Sequence, residues 1–132
     1  MSQENMEVAL EIMDGLGQRN AEKLIALADP EVEWHSFFAI GESGAYRGYD
    51  GTRRYMRDLG EAFDIGVVEG DDALRIGDVI VLVGRIRYRG HTSGVESDAP
   101  AGWMLKFRRD KLLRFRAFHD PEQALEAVGL SE

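Results

Sequence analysis

Residues 76–90 read IGDVIVLVGRIRYRG. Gly77-Asp78 is turn chemistry, and the residues after it alternate with a period of two. Val79, Val81, Val83, Arg85, Arg87 and Arg89 take one face, and Ile80, Leu82, Gly84, Ile86 and Tyr88 take the other. Both faces begin apolar, so both are expected to be covered. One face is expected to meet helices of the same chain and the other a second subunit, which predicts a homodimer formed through the sheet.

Downstream the same period continues. Strands are expected near 95–109 and 111–119, joined by a turn at Arg109-Asp110, with the Gly90 to Gly94 region turning the chain before them. Upstream, 65–75 completes an antiparallel run. The period before Ile65 is helical. Tyr55, Met56, Leu59, Ala62 and Phe63 form an apolar stripe behind a cap at Asp50. Gly41 to Gly44 read as a loop, and Val32 to Phe38 as a strand. Asn20 caps a helix carrying Leu24, Ile25, Leu27 and Ala28, which Asp29-Pro30 terminates. Ser2 opens the first helix, with Val8, Ile12, Met13 and Leu16 at helical spacing. Asp120-Pro121-Glu122-Gln123 opens the last one, with Asp as N-cap and Pro in the first turn. Helices followed by a run of antiparallel strands predict an α+β fold in a single domain over residues 1–132.

Composition narrows the function. There is no cysteine, so no disulfide, thiolate nucleophile or Cys-based metal site is expected. No cofactor and no metal site are expected either, because the three histidines lack ligand spacing. The net charge of −8 argues against nucleic acid and anionic membranes as partners. No apolar run approaches the ~20 residues of a membrane span, and the N-terminus lacks the pattern of a secretory signal, so a cytoplasmic location is expected. Charge is unevenly spread. Residues 1–33 carry eight acids and two bases, whereas residues 85–116 carry nine of the sixteen bases. Such asymmetry suits either two solvated faces or a cationic cavity in an anionic shell.

Four stretches, in this order and spacing, carry a resemblance: LIALADPEVEW (24–34), YRGYDGTRRYMRDL (46–59), IGDVIVLVGRIRYRG (76–90) and RRDKLLRFRAFHDPEQALEAVGL (108–130). Together they resemble the SnoaL-like branch of the NTF2-like superfamily. That resemblance implies a cone, in which helices close a strongly curved, mostly antiparallel sheet around a deep apolar pocket. Superfamily members include ketosteroid isomerases, limonene-type epoxide hydrolases and polyketide cyclases, as well as non-catalytic binding modules, so the fold alone assigns no chemistry. The carboxylate base of the isomerases falls on His35, which can itself act as a base. Their oxyanion Tyr falls near Ile12 and their oxyanion Asp near Trp103, so the isomerase site is not matched. The hydrolase arginine falls on Arg85, but its two acids fall on Arg87 and Ala117, so that site is not matched either.

These correspondences imply which side chains line the pocket. His35, Arg85 and His119 are the candidate catalytic groups. Ile12, Trp34, Tyr55, Leu59, Arg87, Trp103, Phe115 and Ala117 are the candidate substrate contacts. Leu113 is expected to share the pocket face with Phe115, Ala117 and His119 by alternation. The competing reading pairs Arg85 and Arg87 with Glu33, Glu69 or Glu96 across strands. The expected function is binding of a small, largely apolar molecule with a polar or anionic end. If the protein is an enzyme, acid–base isomerisation, cyclisation or hydration is expected, with His35 as base and Arg85 stabilising negative charge. Two alternatives stand beside it: a non-catalytic ligand-binding or carrier module, and a protein-interaction domain using the open sheet face.

Overall fold

The computed structural model describes the backbone of residues 2–35, 45–90, 94–118 and 120–127, and the side chains of these residues except 2–4, 62–71, 88, 97, 121 and 127. Ten elements succeed one another: α1 (Ser2–Gln18), α2 (Ala21–Ala26), β1 (Ala28–His35), β2 (Tyr46–Arg47), α3 (Gly48–Ala62), β3 (Phe63–Ile76), β4 (Val79–Gly90), β5 (Glu96–Arg108), β6 (Lys111–Phe118) and α4 (Pro121–Ala127). The strands form one curved sheet in the order β2-β1-β6-β5-β4-β3. Only the β1–β6 pairing is parallel. The expected α+β architecture and the strand run from β3 to β6 are therefore present.

The turns are made where the sequence places turn residues. Gly77, at φ +61°, joins β3 to β4, and Arg109, at φ 61°, joins β5 to β6. Asn20 caps α2 as expected, its side chain accepting from the Lys23 N–H. Asp120 caps α4, its carboxylate accepting from the Glu122 N–H at 3.0 Å.

Two boundaries differ from the sequence reading. α2 stops at Ala26, and Asp29-Pro30 lies inside β1 rather than ending the helix. Pro30 is tolerated there because the β1–β6 register shifts between Ala28 and Glu33, where no ladder N–H is demanded of it. Asp50 is not the cap of α3. The helix begins at Gly48, and Asp50 sits in the first turn, where a negative charge favours the helix dipole. Finally, the expected strand residues 36–38 and the loop 41–44 lie outside the described residues.

The inner face of the sheet carries the main core. α1 contributes Ala9, Ile12, Met13 and Leu16, and α3 contributes Tyr55, Met56 and Leu59. Both sets recur at three- and four-residue spacing, as an amphipathic helix requires. They meet Val32 and Trp34 of β1, Ile80, Leu82 and Ile86 of β4, Ala101, Trp103, Leu105 and Phe107 of β5, and Leu112 and Phe115 of β6. Each fully buried large aliphatic or aromatic side chain here contributes about 1.5–3 kcal/mol by leaving water.

The outer face of β4 is covered differently from the expectation. Val81 is buried with Phe118 and with Ala124 of α4, and Val79, Val83, Met104 and Leu125 are half-buried around them. The chain's own last helix therefore accounts for the second apolar face, and the valine pattern does not by itself require a second subunit. Exposure of Ile80, Leu82 and Ile86 would have supported the interaction reading. All three are buried under the helices.

Candidate functional site

The strand register decides which side chains share the inner face. Trp34 of β1 stands opposite Phe115 of β6, Phe115 opposite Leu105 of β5, and Leu105 opposite Ile80 of β4. One row over, Ala117 stands opposite Trp103, and Trp103 opposite Leu82. Alternation then sends the intervening residues to the outer face. Seven of the eight expected substrate contacts converge on the inner side: Ile12, Trp34, Tyr55, Leu59, Trp103 and Phe115 are buried, and Ala117 packs half-buried against them. The exception is Arg87.

An aromatic wall organises this interior. The Trp34 ring lies 5.6 Å from Tyr55 and 5.2 Å from Phe115, centroid to centroid, both pairs tilted. Tyr55 stacks on Tyr46 at 5.1 Å. The buried indole needs a partner for its N–H, and α3 supplies one. Trp34 Nε1 donates to Thr52 Oγ1 at 2.8 Å, and Thr52 donates in turn to the Gly48 carbonyl at 2.8 Å. The position of the wall is thus set by hydrogen bonds as well as by packing. Tyr46 closes its edge. The phenol donates to Asp58 Oδ2 at 2.8 Å, and Arg54 sits 5.7 Å over the ring centroid. Burial, reinforced by the Asp58 carboxylate, raises the Tyr46 pKa above the ordinary phenol value. Beside the aromatics, the small side chains Ala101 and Ala117 face inward next to Trp103.

Two of the three candidate catalytic groups, His35 and Arg85, are not brought to this surface. His35 is the immediate neighbour of Trp34 and points to the opposite side of β1. Its Nε2 lies 3.1 Å from Glu33 Oε1, on the outer face. Glu33 also faces Arg47 at 3.5 Å and Arg114 at 3.7 Å. The hydrogen bond to His35, then the charges of Arg114 and Arg47, hold the Glu33 carboxyl below its usual pKa against a smaller opposing effect of burial. Arg85 and Arg87 are likewise on the outer face, and they are 50% and 65% exposed. Each donates from Nε to one oxygen of Asp98, at 2.9 and 3.1 Å. The hydrogen bond from Arg85, and after it that from Arg87, lowers the Asp98 pKa. The expectation that His35, Arg85 and Arg87 point into the pocket is therefore corrected: the alternation of β1 and β4 turns all three away. His119 lies outside the described residues.

Leu113 also departs from its expected place. The β5–β6 register shifts between Lys106 and Phe107, so Phe107 pairs with Leu112 and Leu113 is left without a cross-strand partner. Leu112 takes the core position and is fully buried.

The sequence reading missed Thr52, Ala101 and Asp98. A hydroxyl one turn into α3, amid Gly-Thr-Arg-Arg, was a signal for Thr52. For Asp98 the signal was its cross-strand position opposite Arg87. It also missed the clamp of Arg108 on Asp29, at 3.0 and 3.2 Å, and on Glu31 at 2.7 Å, which ties the end of β5 to the start of β1.

The bent sheet with helices packed inside it is the architecture of NTF2-like proteins. An NTF2-like protein from Burkholderia xenovorans LB400 superposes with a TM-score of 0.76 over 95% of each chain at 19% identity. A hypothetical protein with a ketosteroid isomerase-like fold from Catenulispora acidiphila DSM 44928, solved in complex with trimethylamine, gives 0.75 at 15% identity, covering 94% of this chain and 93% of that one. TerC, co-crystallised with polyporic acid, gives 0.73 at 19% identity, covering 93% and 96%. At these identities the likeness is one of fold. Within that class, residues 9–115 match the SnoaL-like domain, and the chain belongs to this family. No curated protein sequence matches it.

Proposed function

We propose that this SnoaL-like domain binds a small, largely apolar molecule on the concave inner face of its sheet, and that it works as a binding or carrier module. One observation carries the reading. Aromatic and small apolar side chains from α1, α3, β1, β5 and β6 converge inside, while His35, Arg85 and Arg87 lie on the outer face, engaged by Glu33 and Asp98. A base and an electrophile separated from the apolar site by the thickness of the sheet cannot act on a molecule held there, since proton transfer needs contact within about 3 Å. Asn5 and Thr52 are the buried polar side chains among the described residues, and the buried Tyr55 brings a phenol to the inner wall. Two structural neighbours were crystallised with small organic molecules, trimethylamine in one and polyporic acid in the other. Those observations belong to those proteins and motivate testing small organic molecules here.

The test uses 1-anilinonaphthalene-8-sulfonate, an apolar probe with an anionic end, titrated against the folded protein. Ala117→Leu fills the inner surface and is expected to weaken binding about tenfold or more, equivalent to about 1.4 kcal/mol. His35→Ala and Arg85→Ala are expected to leave it unchanged. Thermal melting of each variant confirms that the fold is intact. Loss of binding in Arg85→Ala with Ala117→Leu unaffected would move the site to the outer face and overturn the reading.

A further inference from the structure

β3 is an outermost strand of the sheet, so one of its edges pairs with no described strand. Its last run, Asp72–Ile76, is regular. It is bounded by the register shift between Gly70 and Asp72 on one side and by the Gly77 turn on the other. Leu74 and Ile76 are 44% and 38% exposed, two of the four large apolar side chains that stand in solvent among the described residues. Both lie on the outer face, opposite Val81 and Val79 of β4.

The backbone of this run faces outward at known positions. In an antiparallel ladder, alternate residues turn their N–H and carbonyl away from the paired strand. The Ala73 N–H donates to Asp72 Oδ1 at 2.9 Å, so Ala73 belongs to the outward set, and so does Arg75 two residues on. Free edges are usually shielded by charge, bulges or a covering element. Here a register shift closes one end of the run, and the Asp72 carboxylate occupies the first outward donor within it.

We infer that this edge pairs with a second copy of the chain, antiparallel about a two-fold axis at Leu74, and that the Asp72 carboxylate is the latch which pairing displaces. Leu74 is the middle of the regular run, so an axis there keeps the whole run paired. Leu74 then meets Leu74 of the second copy, Ala73 meets Arg75, and Asp72 meets Ile76. Each Ala73–Arg75 pair exchanges an N–H and a carbonyl, while the two leucines form the close kind of pair, with Cα atoms about 4.5 Å apart. An axis at Arg75 would set two guanidinium groups against each other. An axis at Ala73 would carry the pairing across the shift at Gly70/Asp72. The contact is short and falls below the roughly 1,200 Å² of a stable complex, which makes the dimer weak and transient. It uses neither the inner apolar site nor the outer face of the sheet interior.

The experiment uses single-cysteine chains, which report cleanly because the protein has no cysteine of its own. Leu74→Cys and Ile76→Cys are both exposed changes on the same face, and thermal melting confirms that each variant is folded. A disulfide needs Cα atoms about 4.4–6.8 Å apart. The proposed register meets that at position 74 and holds the two copies of position 76 too far apart. On oxidation at about millimolar protein, Leu74→Cys is expected to form covalent dimer about tenfold or more faster than Ile76→Cys. Adding Asp72→Ala to Leu74→Cys frees the Ala73 N–H and should raise the rate about threefold or more, since one hydrogen-bonding latch is worth about 1 kcal/mol. Equal rates in Leu74→Cys and Ile76→Cys would overturn the pairing. An unchanged rate on adding Asp72→Ala would overturn the latch.

Discussion

Thr52 holds the inner wall together at the scale of single residues. It accepts the Trp34 N–H and returns its own proton to the Gly48 carbonyl. Thr52→Val keeps the shape and removes the acceptor, leaving a buried indole N–H unpaired. The expected loss of stability is about 1–3 kcal/mol by urea denaturation, with weaker binding of the apolar probe. Asp98 makes a pH prediction. Its folded-state pKa is lowered by Arg85 and Arg87, as that of Glu33 is by His35, Arg114 and Arg47. A lowered folded pKa contributes stability above the unfolded pKa and loses it as pH falls through the folded one. Stability should therefore decline as the solution is acidified through and below the ordinary carboxylate range. Asp98→Asn should flatten that decline in a series of melts, and added salt should do so in part, because the pair is exposed. The residue scale is also where the sequence was least legible. Trp34 and His35 are neighbours, and alternation forces one in and the other out. Residue type did not say which, and a family correspondence aligned at single-residue precision placed the charged one inside.

Element identity was read more successfully, because periodicity averages over many residues. The switch from helical to strand period near Ile65, the Gly77 turn, the Arg109-Asp110 turn and the Asp120 cap all appear in the structure. What periodicity does not carry is a bulge. The register shift at Lys106/Phe107 puts Leu112 in the core in place of Leu113, and it arises from pairing between two strands rather than from either alone. Accordingly, Leu112→Ala should cost about 2–5 kcal/mol and Leu113→Ala much less, a contrast that chemical denaturation resolves. The cover of α4 over Val81 was similarly hidden, since a seven-residue helix says nothing about where it docks. Asp120→Ala removes its cap and should cost about 0.5–2 kcal/mol, with earlier loss of protection at Ala124 in hydrogen exchange.

Over the whole molecule, the sheet separates two chemistries. Apolar and aromatic side chains fill the inner side, and most of the ion pairs lie on the outer side or at the edges. The charge asymmetry of the sequence, acids early and bases late, becomes contacts between the first strand and the last ones: Glu33 with Arg114, and Asp29 and Glu31 with Arg108. The bland expectation of two mutually attracting charged regions therefore describes these contacts, and the cationic cavity has no support from Arg85 or Arg87. The fold was legible because it rests on the order and period of whole elements. Of the candidate site residues, Ile12, Trp34, Tyr55, Leu59, Trp103 and Phe115 lie on the inner side of the sheet, and His35, Arg85 and Arg87 lie on the other side.

The central claim is that ligands enter the concave apolar interior rather than the charged outer face. A crystal structure of the protein with bound 1-anilinonaphthalene-8-sulfonate tests it directly. The account predicts the naphthalene ring against Trp103 and Ala117 on the inner face, with the Arg85–Asp98–Arg87 cluster intact. A probe seated on the outer face, its sulfonate on Arg85 or Arg87 in place of Asp98, would contradict it.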